Sequence, residues 1–476
     1  MEKDIFINEY TEKLKCEKAS LFIGSGISRK SGYANWKDIL RDCAEEINLN
    51  VDKEDDLITL AEFYVKGRQR TKIDQTIASF FKDKNGKPSQ VHRILATFPV
   101  RSIWTTNYDT LIERTLQNAD ISYSVVTDDK SYVSLDPTAK VKIHKIHGDV
   151  CCPSKCVITR HDYEKFEEEH DVVLSELKGE MCTNSFLFLG YSFSDIDIQH
   201  VLSRIRLLYD NEHPQRHYCI MEKINKERCD DDDDFKYKEN RLKHYIDDMQ
   251  SYGLNVVLVD SYDEIEDILN EIKIRVHLKD VFISGAYERT NPLLHNRISP
   301  VARLISQKLI ESDYKIATGY GNNLGPDIIA GAFLGCGNVG IKPKDFNENV
   351  FIQPFPYNLP DTVDRDHIYA SLRENMIAKT KISIFICGEK SLNNSNSTIN
   401  SPGVMKEYEA SKANDNLIIP IATTGGAARK IWDMENDSKS LISQWAEFKK
   451  LNVEVQPEAI SELVISLINK YSKKYN

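Results

Sequence analysis

Four short stretches that read as strands, each ending in a polar cluster, carry the residues that could do chemistry. Ala19–Ile23 leads into Gly24-Ser25-Gly26-Ile27-Ser28, and Ser102–Thr105 into Thr106-Asn107-Tyr108-Asp109. Lys142–Ile146 leads into His147-Gly148-Asp149, and Ser185–Leu189 into Gly190-Tyr191-Ser192-Phe193-Ser194-Asp195. Gly24 and Gly26 permit a tight turn and let backbone N–H groups approach a ligand that a Cβ would hold away. A helix opened by Ser28 would aim its N-terminal dipole at the same point, where a pyrophosphate is the usual occupant. Taken singly, each cluster has an ordinary reading. A Gly-x-Gly occurs in plain strand–helix turns, His147 alone could be a strand-end histidine bonded to backbone, and Ser192 and Asp195 could cap the next helix. Together they put four polar ends at the carboxyl side of one parallel sheet, where open α/β sheets bind ligands.

The elements that must position these clusters follow from the apolar spacing. Residues 1–18 read as a short amphipathic helix before the first strand, and Trp36–Ile47 as a helix after the glycine turn. Leu57, Leu60, Phe63, Ile73, Ile77 and Phe80 fall at helical spacing, which predicts a small helical insertion over Asp55–Phe81, packed beside the sheet or serving as a lid. The aspartates Asp230–Asp234 read as a solvated loop. Asn255–Asp260 is a strand, and the helix Glu264–His277 closes a first domain. A second α/β pattern begins at Lys279, with strands ending at Ser284-Gly285-Ala286 and at Thr318-Gly319-Tyr320-Gly321. Further strands are expected at Val350–Ile352, Ile382–Cys387 and Leu417–Ala422, with a flexible Ser/Asn loop over Ser391–Ser401. The expected fold class is α/β: two Rossmann-like, doubly wound parallel-sheet domains, residues 1–277 and 278–476, the first with a helical insertion.

Bulk properties narrow the function. A chain of 476 residues has room for two or three domains with real cores. The formal net charge of −11 argues against a nucleic-acid partner, which wants a basic face. No apolar run approaches a membrane span, and the first residues lack the basic and apolar regions of a signal peptide. The ten cysteines are scattered rather than arranged as a disulfide framework, which suits a reducing compartment. A cytoplasmic location is expected, with neither membrane nor nucleic acid as partner. Cys151, Cys152 and Cys156 cluster after the His-Gly pair, but two Cys-x-x-Cys pairs are missing, and no metal is expected.

Set together, Gly24-Ser25-Gly26-Ile27-Ser28, Thr106-Asn107-Tyr108-Asp109, His147-Gly148 and Gly190-Tyr191-Ser192 resemble the sirtuin NAD-binding pattern. The family's Gly-Ala-Gly-Ile-Ser, Gln-Asn-Ile-Asp, His-Gly and Gly-Thr-Ser stretches appear in the same order. The resemblance implies that NAD+ is the substrate, held by Gly24, Ser25, Gly26, Ser28, Thr106, Gly190 and Ser192. It implies that Asn107 holds the ribose hydroxyls or the attacking water, that Asp109 supports the loop beside the nicotinamide, and that His147 accepts a proton. The sirtuin deacetylases carry a four-cysteine zinc module after the His-Gly pair, and this chain does not. Without that part of the peptide-receiving wall, water becomes the default acceptor, giving nicotinamide and ADP-ribose.

Residues 278–476 resemble the SLOG superfamily of nucleotide-binding Rossmann-like domains. Ser284-Gly285-Ala286, Thr318-Gly319-Tyr320-Gly321 and Pro402-Gly403-Val404-Met405-Lys406-Glu407 carry the likeness. The phosphoribohydrolases of that group have Pro-Gly-Gly-x-Gly-Thr-x-x-Glu, and the second glycine and the Gly-Thr pair are absent here. A binding role is implied, with Ser284, Gly285, Ala286, Gly319, Gly321 and Gly403 around a nucleotide, Arg373 and Lys390 as cationic contacts, and Glu407 on ribose hydroxyls. By position alone Arg373 is equally an exposed helix residue. The domain order is similar to that of the effectors of Thoeris antiphage defence. That resemblance implies an NAD+ hydrolase gated by a cyclic ADP-ribose isomer, made by a TIR-domain partner protein and bound at the SLOG domain. It also implies a homotetramer or larger assembly. The alternatives are a sirtuin-type protein deacylase or ADP-ribosyltransferase, a non-enzymatic nucleotide sensor, and a phosphoribohydrolase acting through Glu407.

Overall fold

The computed structural model describes residues 1–33, 36–66, 70–82, 86–191, 202–203, 206, 215–288, 292–321, 323–356, 359–360, 362–391 and 398–475. The chain divides into two compact units, Met1–Val276 and His277–Asn476.

The first unit is built on seven strands: β1 (Ala19–Ile23), β2 (Ser102–Thr105), β3 (Tyr123–Val126), β4 (Val141–Lys145), β5 (Ser185–Leu189), β6 (His217–Glu222) and β7 (Leu254–Val259). They lie in the order β3-β4-β2-β1-β5-β6-β7, and each neighbouring pair is parallel. Successive side chains of a strand point to opposite faces, so the apolar runs at the sheet's centre feed two cores. Leu21, Ile23, Ile103, Leu187 and Leu189 pack with Phe6, Tyr10 and Ile268 from the helices Lys3–Lys15 and Glu264–Val276. Phe22, Trp104, Phe186 and Phe188 pack on the other face with Val173, Leu177 and Met181 of the helix Asp171–Thr183. Coverage on both faces explains why β1, β2 and β5 are buried at every residue.

The insertion expected over Asp55–Phe81 is present as two helices, Leu57–Lys66 and Arg70–Lys82. Leu60, Tyr64, Ile73 and Ile77 form a core of their own with Ile39 and Leu40, and it closes onto Tyr108, Cys156 and Ile158. The insertion therefore packs against the loops that follow β2 and β4.

Three local expectations are corrected. Ser28 does not open a long helix. A single helical turn, Ser25–Ser28, begins directly after the extended Gly24, continues as a 3₁₀ turn over Arg29–Ser31, and ends at Gly32 in the left-handed region. The aspartate run is not a loop either: Asp231 caps the helix Asp232–Ser251, its carboxylate accepting from the Asp234 amide at 2.7 Å. Asp232, Asp233 and Asp234 occupy the first turn, where the positive end of the helix dipole favours them, and Asp230 precedes the cap. The strands β3 and β6 were not expected. The first is a partly exposed edge strand with little apolar signal.

The second unit has five parallel strands, β8 (Asp280–Ala286), β9 (Lys315–Thr318), β10 (Val350–Ile352), β11 (Ile382–Cys387) and β14 (Leu417–Ile421), in the order β10-β9-β8-β11-β14. The loop expected over Ser391–Ser401 contributes to an antiparallel hairpin, in which β12 (Glu389–Ser391) pairs with β13 (Thr398–Asn400). Residues 392–397 lie outside the described residues. Both units have the expected parallel α/β architecture.

Candidate functional site

In the first unit the chain order reverses between β1 and β5. Strands β2, β4 and β3 lie to one side and β6 and β7 to the other, so the switch point of the sheet lies above β1 and β5. A cavity of about 1090 Å³ opens there. Its lining includes Ser25, Gly26, Ser28, Thr106, Asn107, Asp109, His147 and Gly190, which come from four separate strand ends. Ser192, also expected at this site, and Asp195 lie outside the described residues.

The glycines have a different local task from the one their spacing suggested. The Gly24 amide donates to Leu189 O at 2.8 Å and the Gly26 amide to Gly190 O at 3.0 Å. A Cβ on Gly24 would stand 2.4 Å from Gly190 O, and one on Gly26 2.8 Å from Gly190 Cα. Gly24 and Gly26 thus let the loops after β1 and β5 touch backbone to backbone, and those two amides are bonded to protein carbonyls.

The polar centre is a chain of buried hydrogen bonds. Asn107 Nδ2 donates to Ser28 Oγ at 3.2 Å, and Ser28 Oγ donates to Asp109 Oδ2 at 2.8 Å. The other carboxylate oxygen of Asp109 accepts from the Leu111 amide at 3.0 Å. The Asn107 amide donates to Thr105 Oγ1 at 3.0 Å, and that hydroxyl donates to Ile23 O at 2.7 Å, fixing the start of the loop to β1. Among the described residues Asn107 Oδ1 has no hydrogen-bond partner. All three side chains are buried.

His147 is buried at the end of β4. Its ring meets Tyr163 edge-on at 5.5 Å and Phe166 at 5.7 Å. Gly148 follows at φ 94°, and a Cβ there would stand 2.9 Å from Cys156 Cα, so the His-Gly pair is what this turn requires. Val157 N donates to His147 O and Tyr108 Oη to Val157 O, joining the loops after β2 and β4. In the segment after His147, Cys151 and Cys152 are exposed, while burial pushes the Cys156 thiol up to about 12. Among the described residues no three His, Cys, Asp or Glu side chains are grouped to hold a metal ion.

The sequence reading missed several cavity residues. Arg29, Lys37 and Arg160 bring cationic side chains to the lining, and Tyr33, Trp36, Tyr108 and Tyr163 bring aromatic ones. Asp55, Asp56, Leu57, Ile58 and Thr59 show that the insertion forms part of the wall as well as packing beside it. Arg160 and Tyr163 belong to the helix Arg160–Glu169, for which no motif was visible.

In the second unit the carboxyl ends of β8 and β9 meet the helices Arg365–Ile377 and Pro402–Ala413. Ser284 Oγ donates to Glu407 Oε2 at 2.5 Å. Arg373 Nε lies 3.9 Å from Glu407 Oε1 and, among the described residues, has no hydrogen-bond partner. The Arg373 guanidinium stands 5.0 Å from the ring centre of Phe355 and 5.6 Å from that of Tyr369. Arg373 is only 7% exposed, which overturns its reading as a solvent-facing helix residue. Burial pushes the Glu407 carboxyl up, only partly opposed by Ser284 and Arg373. Gly403 lies beside Arg373, where a Cβ would stand 3.7 Å from Nη2, and Gly319 faces Phe355. Gly285 and Gly321 are in backbone contact, since a Cβ on Gly321 would reach 2.1 Å from Gly285 O. Ala286 O accepts from Gly388 N at 2.9 Å. Lys390 is exposed on β12, in a different element from the Arg373–Glu407 cluster.

Comparison with known proteins agrees with this two-part architecture. Residues 101–245 match the SIR2-like domain model, and residues 264–471 match the Sir2- and TIR-associating SLOG family. A protein of Enterococcus faecium named NAD(+) hydrolase ThsA is 35% identical, over 98% of this chain and 99% of its own length. A protein of the same name from Bacillus cereus (strain MSX-D12) is 31% identical, over 98% of this chain and 97% of its own. Defense-associated sirtuin 2 of Bacillus subtilis is 26% identical over 42% of this chain. With a SIR2-like unit, a SLOG unit and similarity along nearly its whole length, the chain belongs to the ThsA family of NAD(+) hydrolases.

Proposed function

We propose that the chain hydrolyses NAD+ to nicotinamide and ADP-ribose in its first unit, under control of a nucleotide bound by its second. The observation that carries the reading is the meeting of Asn107, Asp109 and His147, from separate strand ends, on one cavity at the switch point of the sheet. In the reaction the bond between the ribose C1′ and the nicotinamide nitrogen breaks. Nicotinamide leaves with the electron pair, and oxocarbenium charge develops on the ribose. Water adds at C1′ and gives up its proton.

Each residue has a task in that sequence. Asn107 Oδ1 accepts from a ribose hydroxyl or from the attacking water, while its amide nitrogen stays on Ser28. Ser28 and Asp109 hold the carboxamide in place, and Asp109 fixes the loop beside the nicotinamide through the Leu111 amide. His147 takes the proton, a role to which an imidazole is suited near neutrality. Tyr163 and Phe166 keep that ring in a dry setting. A positioned base accounts for roughly 10²–10⁴-fold, so orientation of the ribose supplies much of the remainder. The lining offers Arg29 as a cation for the pyrophosphate, a contact made by side chains because the Gly24 and Gly26 amides are already bonded.

Control comes from the second unit. Arg373, buried over two aromatic rings and without a hydrogen-bond partner at Nε among the described residues, is set to receive a phosphate, and Glu407 is placed for ribose hydroxyls. A cyclic ADP-ribose isomer, made by a TIR-domain partner protein, is the activating ligand. Moving a population from about 1:99 to 99:1 takes roughly 5.5 kcal/mol of differential affinity, which is within reach of several charge-assisted bonds summed over a homotetramer or larger assembly. The outcome in a cytoplasm is NAD+ depletion and arrest of the infected cell.

The test is nicotinamide release by the purified protein with and without cyclic ADP-ribose isomers. Release should require the nucleotide, vanish in His147→Ala, and need roughly 10- to 100-fold more nucleotide in Arg373→Ala, the loss expected for one charge-assisted hydrogen bond. NAD+ binding without cleavage under every condition would overturn the hydrolase and leave a nucleotide sensor.

A further inference from the structure

Beneath the candidate active site lies a buried ion cluster that the proposed chemistry does not use. Lys145, the last residue of β4, is 1% exposed. Its Nζ donates to Tyr108 O at 3.2 Å, Asp109 O at 2.6 Å, Glu113 Oε1 at 2.8 Å and Asp149 Oδ2 at 2.5 Å. The acceptors belong to three places. Tyr108 and Asp109 are in the loop after β2 that carries Asn107. Glu113 is in the first turn of the helix Leu111–Asn118, which that loop enters. Asp149 is two residues past His147.

An isolated ammonium in such a site would be neutralised, because desolvation penalises the charged form. Here the two carboxylates outweigh the cost of burial and hold the Lys145 amine above its ordinary value. Burial raises Glu113, while on Asp149 the effect of Lys145 outweighs burial and the net shift is downward. Lys145 and Asp149 are thereby favoured in their charged forms, and the ammonium reaches all four acceptors. The cluster's geometric product is a fixed spacing between two loops. Tyr108 O also accepts from Val150 N at 3.0 Å, so Lys145 and the loop after β4 share one carbonyl of the loop after β2.

We propose that Lys145 is a positioning residue of the reaction: its ammonium clamps the Asn107 loop to the His147 loop, and so sets how Asn107 and His147 face the ribose. The inference rests on the hydrolase reading above. It differs from a purely structural role because a misplacement of about 1 Å can cost 10²-fold in rate while substrate still binds.

Removing Lys145 alone would strand two buried carboxylates, so the decisive variant is Lys145→Met with Glu113→Gln and Asp149→Asn. This replacement removes the buried charges together and keeps side-chain volume. The expected result is a folded protein that binds NAD+ within about 3-fold of the parent, with kcat lowered roughly 10²-fold. Hydrogen exchange at the Val150 amide should rise more than about 10-fold, since its carbonyl acceptor is no longer held. A folded triple variant with parental kcat and parental Val150 protection would overturn the proposal. Should the triple variant not fold, Lys145→Arg decides: it keeps the charge but replaces a point donor with a planar fork. A kcat loss of about 10-fold or more with NAD+ binding retained supports the clamp, and parental kcat overturns it. If the parent binds NAD+ but never releases nicotinamide, the hydrolase reading fails by itself, and Val150 exchange in the variants still decides whether Lys145 holds the two loops.

Discussion

Ser28 is the link between Asn107 and Asp109, and Ser28→Ala isolates what that link contributes. The hydroxyl makes two buried bonds, donating to the Asp109 carboxylate at 2.8 Å and accepting from Asn107 Nδ2 at 3.2 Å. A hydrogen bond to a charged group contributes about 1.5–3 kcal/mol and a neutral one about 0.5–1.5 kcal/mol. Alanine removes both and leaves two buried polar groups without that partner. Asp109 keeps its bond from the Leu111 amide, so the expected cost is about 3 kcal/mol. For a unit of this size each kcal/mol lowers the melting temperature by roughly 2–4 °C, which gives a drop of about 6–12 °C. The rate should suffer separately, because Asn107 loses the contact that orients its carboxamide. We expect kcat for nicotinamide release to fall roughly 10²-fold with KM changed less than about 3-fold. Calorimetry and steady-state kinetics on the same preparation measure both effects. A variant that melts as expected but keeps kcat within about 3-fold of the parent would refute the reasoning, since Asn107 would then not need Ser28 in order to act.

Two further outcomes follow from the first unit. His144 is fully buried on β4, stacked on Trp104 at 3.7 Å, and burial pushes its imidazole down to about 3. Because this lies below the unfolded value of about 6.5, the stability it confers is complete above that pH and is lost as pH falls toward 3, with about 2 kcal/mol gone by pH 5. His144→Phe keeps a flat ring on Trp104 and removes the titration, so its melting temperature should decline less than the parent's between pH 7 and pH 5; parallel curves would exclude His144 as a source of the acid sensitivity. Gly24→Ala would bring a Cβ to 2.4 Å from Gly190 O, a contact with backbone on both sides. The loops after β1 and β5 must then separate, and NAD+ affinity should fall at least about 10-fold by calorimetry; parental affinity would show that their contact does not shape the cavity.

Much of this was legible in the residues, for reasons that differ by element. The central strands were readable because a strand covered on both faces is apolar at nearly every position, as in Ser-Phe-Leu-Phe-Leu of β5. The edge strand β3 was not, because Tyr-Ser-Val-Val is half exposed and carries no such run. The aspartate run was misread because a cap is a local geometric event: the same residues solvate a loop or complement a helix dipole, and only the following turn decides. Arg373 was ambiguous because helical position does not reveal which face is covered, and burial over Phe355 and Tyr369 depends on residues 18 and 4 positions away. The cavity residues Arg160 and Tyr163 were invisible for a similar reason, since they come from a helix that the fold brings to the site and no spacing announces.

The glycine turns bear most directly on how the two units would recognise the nucleotides proposed for them. Their spacing suggested open amides around a phosphate. In the first unit the Gly24 and Gly26 amides are bonded to Leu189 O and Gly190 O, and in the second Gly321 sits against Gly285. In both units glycine is needed because neighbouring strand ends meet backbone to backbone at the point where a ligand would lie. In the first unit the Gly24 and Gly26 amides are thereby withdrawn from donation to a ligand, so the proposed recognition rests on the side chains around the cavity. In the proposed reading these are, in the first unit, Asn107, bonded to Ser28 of the loop after β1, and His147, on two loops that Lys145 ties together. In the second unit the proposed reading gives this part to Arg373 and Glu407, a guanidinium and a carboxyl group buried within 3.9 Å of one another without a direct hydrogen bond. A buried pair left at that separation has more to gain from a ligand that bonds each partner than from closing on itself. The loops braced by Lys145 in the first unit and the separated Arg373–Glu407 pair in the second fit the proposed division into a catalytic unit and a sensing unit.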